Sequence, residues 1–239
     1  MNLNPRIVGA AGILAGVGLA VEGVLFMTSG WTAETFADAH RALAFLNDSG
    51  TQLRAAVFAG AINLVLAAVF VVGLADRLQT SAPTRAATTL YLGVIGIAGE
   101  SLIPLGLWLG VPTFVDLAAR DPQAAAAAWN GYAASQAAAG AVGGLFLGLS
   151  TLAAGWAIAS KRPMPALLGW LAIVAGAASV LTVLAAQTPL APLATAAYLP
   201  SLTLVIAFRI WGGIELWRGR ARAVAAPRPN EAVTPDQRR

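Results

Sequence analysis

Residues 163–208 read PMPALLGWLAIVAGAASVLTVLAAQTPLAPLATAAYLPSLTLVIAF, a run between Arg162 and Arg209 without one charged side chain. A helix of about 20 apolar residues crosses the hydrocarbon core of a bilayer. The run therefore holds one whole span and most of another, broken at Pro189 and Pro192. Strands are a poor reading. Lipid requires backbone groups to be satisfied within each segment or in a closed barrel, and the run lacks polar alternation.

The same test applied outward along the chain finds four more gaps. Glu22 is the sole charge between Arg6 and Glu34, and Glu100 the sole charge between Arg85 and Asp116. No charge lies between Arg54 and Asp76, or between Asp121 and Lys161. In the last gap an Ala-rich loop, Pro122 to Ser135, precedes the apolar part. These runs predict an all-α, polytopic six-helix transmembrane bundle over residues 1–217, with spans near 6–29, 54–75, 86–110, 136–159, 165–187 and 193–217. The first apolar stretch outruns the 7–15 or so residues of a signal-peptide core and contains Glu22, so it reads as a retained span. From Arg218 to 239 the chain alternates Arg, Ala and Pro without periodicity and reads as a disordered basic tail.

Composition closes off whole classes of function. Of 239 residues 58% are hydrophobic and 11% charged, against roughly 25% charged in soluble proteins. Mean hydropathy is +0.71. So few charges could not cover a water-soluble enzyme. The absence of cysteine excludes disulfides, thiol chemistry and iron–sulfur clusters. A single histidine leaves no pair for haem or zinc. The spans hold no Ser–His, Cys–His or paired-Asp arrangement, so no catalytic residue, metal or cofactor is expected and the chain does not read as an enzyme.

The basic residues set an expected orientation. With the N-terminus inside, the inner segments carry Arg6, Arg77, Arg85, Lys161, Arg162, Arg218 and the tail arginines, while the outer ones carry Arg41, Arg54 and Arg120. That bias predicts both termini in the cytoplasm of a bacterial plasma membrane. Trp31 and Trp108 would mark the outer interface, and Trp156, Trp170, Trp211 and Trp217 the inner one. The inner face would attract anionic lipid at about 1 kcal/mol per cation. The isoelectric point of 10.3 reflects that face and the tail, not a nucleic-acid groove. A homo-oligomer or a membrane-protein partner stays open.

The two longer outer loops are expected to form short amphipathic helices at the membrane surface. Phe36, Ala39, His40, Leu43 and Leu46 recur at helical spacing in the first. In the second, Asp121 before Pro122 is a helix start and Asn130–Gly131 a stop. Covering the bundle is their expected role, with a lid or docking surface as the alternative. His40 reads as a solvated side chain. A faint repeat pairs Thr35-Phe36-Ala37-Asp38 with Thr113-Phe114-Val115-Asp116, suggesting tandem hairpins about 80 residues apart.

Glu22, Asn63, Glu100 and Arg209 are the candidate ligand- or ion-binding residues. Ionisable groups at membrane depth normally face protein or a cavity. Glu22 shares a helical face with Gly18, Ala15 and Ala11, and Glu100 with Gly96, Gly93 and Pro104. Asn63 lies beside Ala59, Gly60 and Ala67, and Gly140, Gly144 and Gly148 form a stripe on the fourth span. Such small-residue stripes mark close helix approach, so the polar groups should point inward. By the helical rise, Glu22 and Glu100 lie about 12 and 15 Å below the outer boundary and Arg209 about 24 Å. Side chains lean toward their helix N-terminus, which predicts a pair between Arg209 and Glu100, or else Glu22.

Three segments carry a resemblance: Leu147-Gly148-Leu149, then Ala154-Gly155-Trp156-Ala157-Ile158-Ala159-Ser160, then Pro165-Ala166-Leu167-Leu168-Gly169-Trp170-Leu171. They resemble the span, short basic turn and Pro-x-x-Leu-Gly span of a family of bacterial inner-membrane proteins classed as a domain of unknown function. The first outer loop, ending in Arg54, is similar too. The resemblance implies the same six-helix architecture and carries over no activity or catalytic residue. An acidic residue expected near the middle of the sixth span is replaced here by the Arg209 and Glu215 region. Two function classes remain: a small transporter or permease-like protein using Glu22 and Glu100, and a non-catalytic scaffold or accessory subunit of a larger membrane complex.

Overall fold

A computed structural model describes residues 3–219, so the expected tail beyond Gly219 lies outside the described residues. Seven helices follow one another: α1 (Pro5–Thr28), α2 (Ala33–Ala37), α3 (Ala39–Gln79), α4 (Pro83–Arg120), α5 (Pro122–Lys161), α6 (Ala166–Ala186) and α7 (Ala191–Trp217). All but α2 contain a stretch long and apolar enough to cross a membrane; in α3 it runs Gln52–Gln79. Their number is the predicted six, although α4 and α5 run well past 86–110 and 136–159. The protein is a multi-pass membrane protein.

Local chemistry sets the helix starts. Asn4 accepts from the Arg6 amide at 3.0 Å and Pro5 opens α1. Asp38 accepts from the His40 and Arg41 amides to start α3, and those bonds, Arg41's foremost, hold its carboxyl below the ordinary carboxylate range. Asp121, just before Pro122, accepts from the Gln123 and Ala124 amides to start α5. At the other end of α5, Arg162 takes a left-handed conformation (φ 54°), and the Pro163–Pro165 segment redirects the chain into α6.

The outer loops differ from expectation. Only α2 is a separate short helix; the rest of the first loop forms the opening turns of α3. The second loop has no surface helix, since Asp121 alone separates α4 from α5. Asn130 and Gly131 do not stop α5. An interior glycine weakens a helix by about 1 kcal/mol, which the flanking alanines and the burial of Trp129 and Gln136 on the same helix outweigh. The two Thr-Phe-x-Asp segments also part company, one lying in α2 and its cap and the other inside α4, so they do not mark equivalent hairpins.

The spans form a ring. Each packs on the next in sequence, α1–α3–α4–α5–α6–α7, and α7 returns to pack on α1. Large apolar side chains such as Val65, Leu109 and Leu167 point outward and are about two-thirds exposed, as lipid-facing residues must be.

The ring is packed differently at its two ends. At the basic end, glycines let backbones touch. A Cβ on Gly9 would lie 2.6 Å from the Gly213 carbonyl, and one on Gly169 would lie 2.5 Å from the Ala159 amide nitrogen. Val8, Leu78, Ile158, Leu168 and Leu216 fill the space between. At the opposite end an aromatic cluster forms the cap. Trp129 is fully buried against Trp31, Phe36, Phe114 and Tyr132, and its indole N–H donates to the Phe36 carbonyl at 3.1 Å.

Candidate functional site: a polar chamber inside the ring

Between the two packed ends the ring holds a half-open cavity of about 600 Å³, with the exposed Met27, Tyr198 and Leu199 on its rim. All six spans contribute to its wall, and all four sequence-predicted residues line it: Glu22 from α1, Asn63 from α3, Glu100 from α4 and Arg209 from α7. Binding cavities for small molecules commonly span about 300–1,000 Å³ with mostly apolar walls and a few convergent polar groups. Leu19, Leu64, Leu147, Val183, Leu202 and Val205 supply much of the apolar wall here.

Arg209 is 8% exposed and Asn63 3%. The guanidinium Nη1 donates to Asn63 Oδ1 at 3.1 Å, and Asn63 Nδ2 donates to Glu22 Oε2 at 3.1 Å. The expected direct pair between Arg209 and Glu100 is not formed. No ion pair within 4 Å joins Arg209 to either carboxylate among the described residues, although both act on it electrostatically. The reason is chemical: an amide both donates and accepts, so Asn63 fits between an arginine and a carboxylate and satisfies each. Buried charges require such partners.

Glycine makes room for both acids. A Cβ on Gly60 would come within 2.5 Å of Glu22 Oε1, and one on Gly143 within 3.1 Å of Glu100 Oε1. The Gly144 position lies 3.6 Å from the same oxygen. In α4, Pro104 follows Glu100 by four positions and removes the amide that would bond the Glu100 carbonyl. Pro200 does the same for Ala196 in α7.

Sequence reasoning missed several members of the wall. Thr151, Ser179, Thr182, Tyr198 and Ser201 face the chamber, and Ser179 and Ser201 meet across α6 and α7 at 3.1 Å. Hydroxyls in apolar helices usually bond their own backbone, so nothing in the sequence marked these. Above the chamber, Tyr132 and Gln136 continue the α5 stripe that carries Gly140, Gly144 and Gly148. The Tyr132 hydroxyl and Gln136 Oε1 are buried there without a hydrogen-bond partner. Spacing of four residues along one helix was the available signal.

Glu215, the other acid of α7, is buried near the basic end and away from the chamber wall. His40 is exposed, as the sequence suggested. Among the described residues no group of three His, Cys, Asp or Glu side chains is placed to hold a metal.

No curated protein and no solved structure matches the chain. The profile of a domain of unknown function, DUF4386, matches residues 14–211, which reach into all six spans and include every chamber residue named above. The chain belongs to the DUF4386 family.

Proposed function

We propose that this protein is a small permease-like carrier of the bacterial plasma membrane, whose chamber admits a small solute in exchange with water. The observation that carries the reading is the cavity of about 600 Å³ walled by all six spans and holding two carboxylates and a guanidinium. A scaffold has no need of such a space, because burying ionisable groups is expensive in lipid and close packing serves helix association better. α4 and α7 border the chamber as continuous helices that each lack one backbone hydrogen bond there, at Pro104 and Pro200. The reading assigns no catalytic step and no cofactor. It places the basic end in the cytoplasm against anionic lipid.

The chain contains no cysteine, so single-cysteine variants report cleanly. In sealed vesicles of each orientation, Thr182→Cys on the chamber wall should react with a membrane-impermeant maleimide from both sides. Leu181→Cys, on the outward face and 65% exposed, should react from neither. A silent Thr182→Cys in both orientations would favour the accessory-subunit reading instead.

A further inference from the structure

With both of its acids ionised, the chamber's charges do not balance. Arg209 and Glu22 are joined through Asn63, which accounts for one positive and one negative group. Glu100 is left over. Its carboxylate faces the chamber across Gly143 and Gly144 and has no hydrogen bond or ion pair among the described residues. Among the described residues, Arg209 is the only basic side chain on the wall.

Three of the five wall hydroxyls add to the same imbalance, while those of Thr182 and Tyr198 remain donors. Thr151 Oγ1 gives its proton to the Leu147 carbonyl at 2.9 Å, and Ser179 Oγ gives its own to the Ala175 carbonyl at 2.9 Å. With Ser179 committed, Ser201 is the donor in their 3.1 Å contact. All three oxygens therefore offer lone pairs to the chamber. A carboxylate and a set of acceptor oxygens within an apolar wall want a ligand with N–H donors and a positive charge on an apolar body.

The geometry points to a protonated amine on a compact apolar skeleton as the chamber's solute, with Glu100 as the carboxylate that anchors its ammonium group. This rests on the carrier reading above and names the class of solute for the same site. A neutral analogue of equal shape leaves the Glu100 carboxylate without an ionic partner, and discrimination against it follows from that loss.

Two probes share one cage: 1-adamantylamine, charged at neutral pH, and uncharged 1-adamantanol. Binding of each to the detergent-solubilised full-length protein is measured by calorimetry. The amine should bind at least 10-fold more tightly than the alcohol. Glu100→Gln should abolish that preference while keeping a monodisperse elution profile and the reactivity of Thr182→Cys. Glu100→Asp should restore part of it. Equal affinity for the two probes, or an amine preference that survives Glu100→Gln, overturns the assignment. Absence of amine binding in a protein whose Thr182→Cys is readily labelled also overturns it, and leaves the carrier reading standing. A chamber that cannot be labelled from either side removes both.

Discussion

The basic end and the chamber are built from the same small residues put to opposite use. At the basic end, Gly9, Gly213, Gly155 and Gly169 face the backbones of neighbouring helices, and each would clash with main-chain atoms if it carried a Cβ. Around the chamber, Gly60 faces the Glu22 carboxylate, Gly143 meets both the main-chain nitrogen and the carboxylate of Glu100, and Gly144 meets Val183 and, farther off, the same carboxylate. In the first zone glycine only brings helices together; in the second it also makes space for charge. A glycine stripe is thus no sign of tight packing until its neighbour is known. The comparison also assigns jobs: one zone holds the ring closed, and the other keeps a polar space open inside it.

Substitutions can break or sharpen that contrast. Asn63→Leu should have the largest effect, since it strips Arg209 and Glu22 of their shared partner inside the bundle. Losing one member of a buried charged network is worth about 3–5 kcal/mol, read as a lowered denaturation midpoint in detergent. Gly169→Val comes next, forcing apart the α5 and α6 backbones where main-chain atoms cannot yield. Overpacking of this kind removes about 1–3 kcal/mol, and Thr182→Cys labelling should survive in whatever fraction folds. Trp129→Phe removes the donor to the Phe36 carbonyl in the aromatic cap, which should lower stability by about 1–2 kcal/mol. Tyr132→Phe has the smallest effect and the opposite sign. It deletes a buried hydroxyl that has no partner, so stability should hold or rise by up to about 1 kcal/mol. A fall would mean the hydroxyl is bonded in solution.

The spans were legible because charge is the one thing lipid forbids, and the gaps around Glu22 and Glu100 delimit helices without any knowledge of packing. The inward facing of Glu22, Asn63, Glu100 and Arg209 followed from their small-residue neighbours. Their partners were not legible. Asn63 and Arg209 lie 146 positions apart in sequence, and whether an amide or a carboxylate meets the guanidinium depends on how the helices rotate against one another. The loops misled for a related reason. Asn130–Gly131 is a sound local stop signal, but tertiary burial of Trp129 and Gln136 on either side carries α5 through it.

The contrast between the zones is tested most directly by the relative reactivity of two buried small side chains toward a charged thiol reagent. Ser201→Cys lies on the chamber wall, whereas Ala157→Cys replaces a residue with no exposed surface at the basic end. In the folded, detergent-solubilised protein, Ser201→Cys should react at least 100-fold faster than Ala157→Cys. Equal, negligible rates at both positions would mean that the interior is dry throughout, and would contradict a polar chamber.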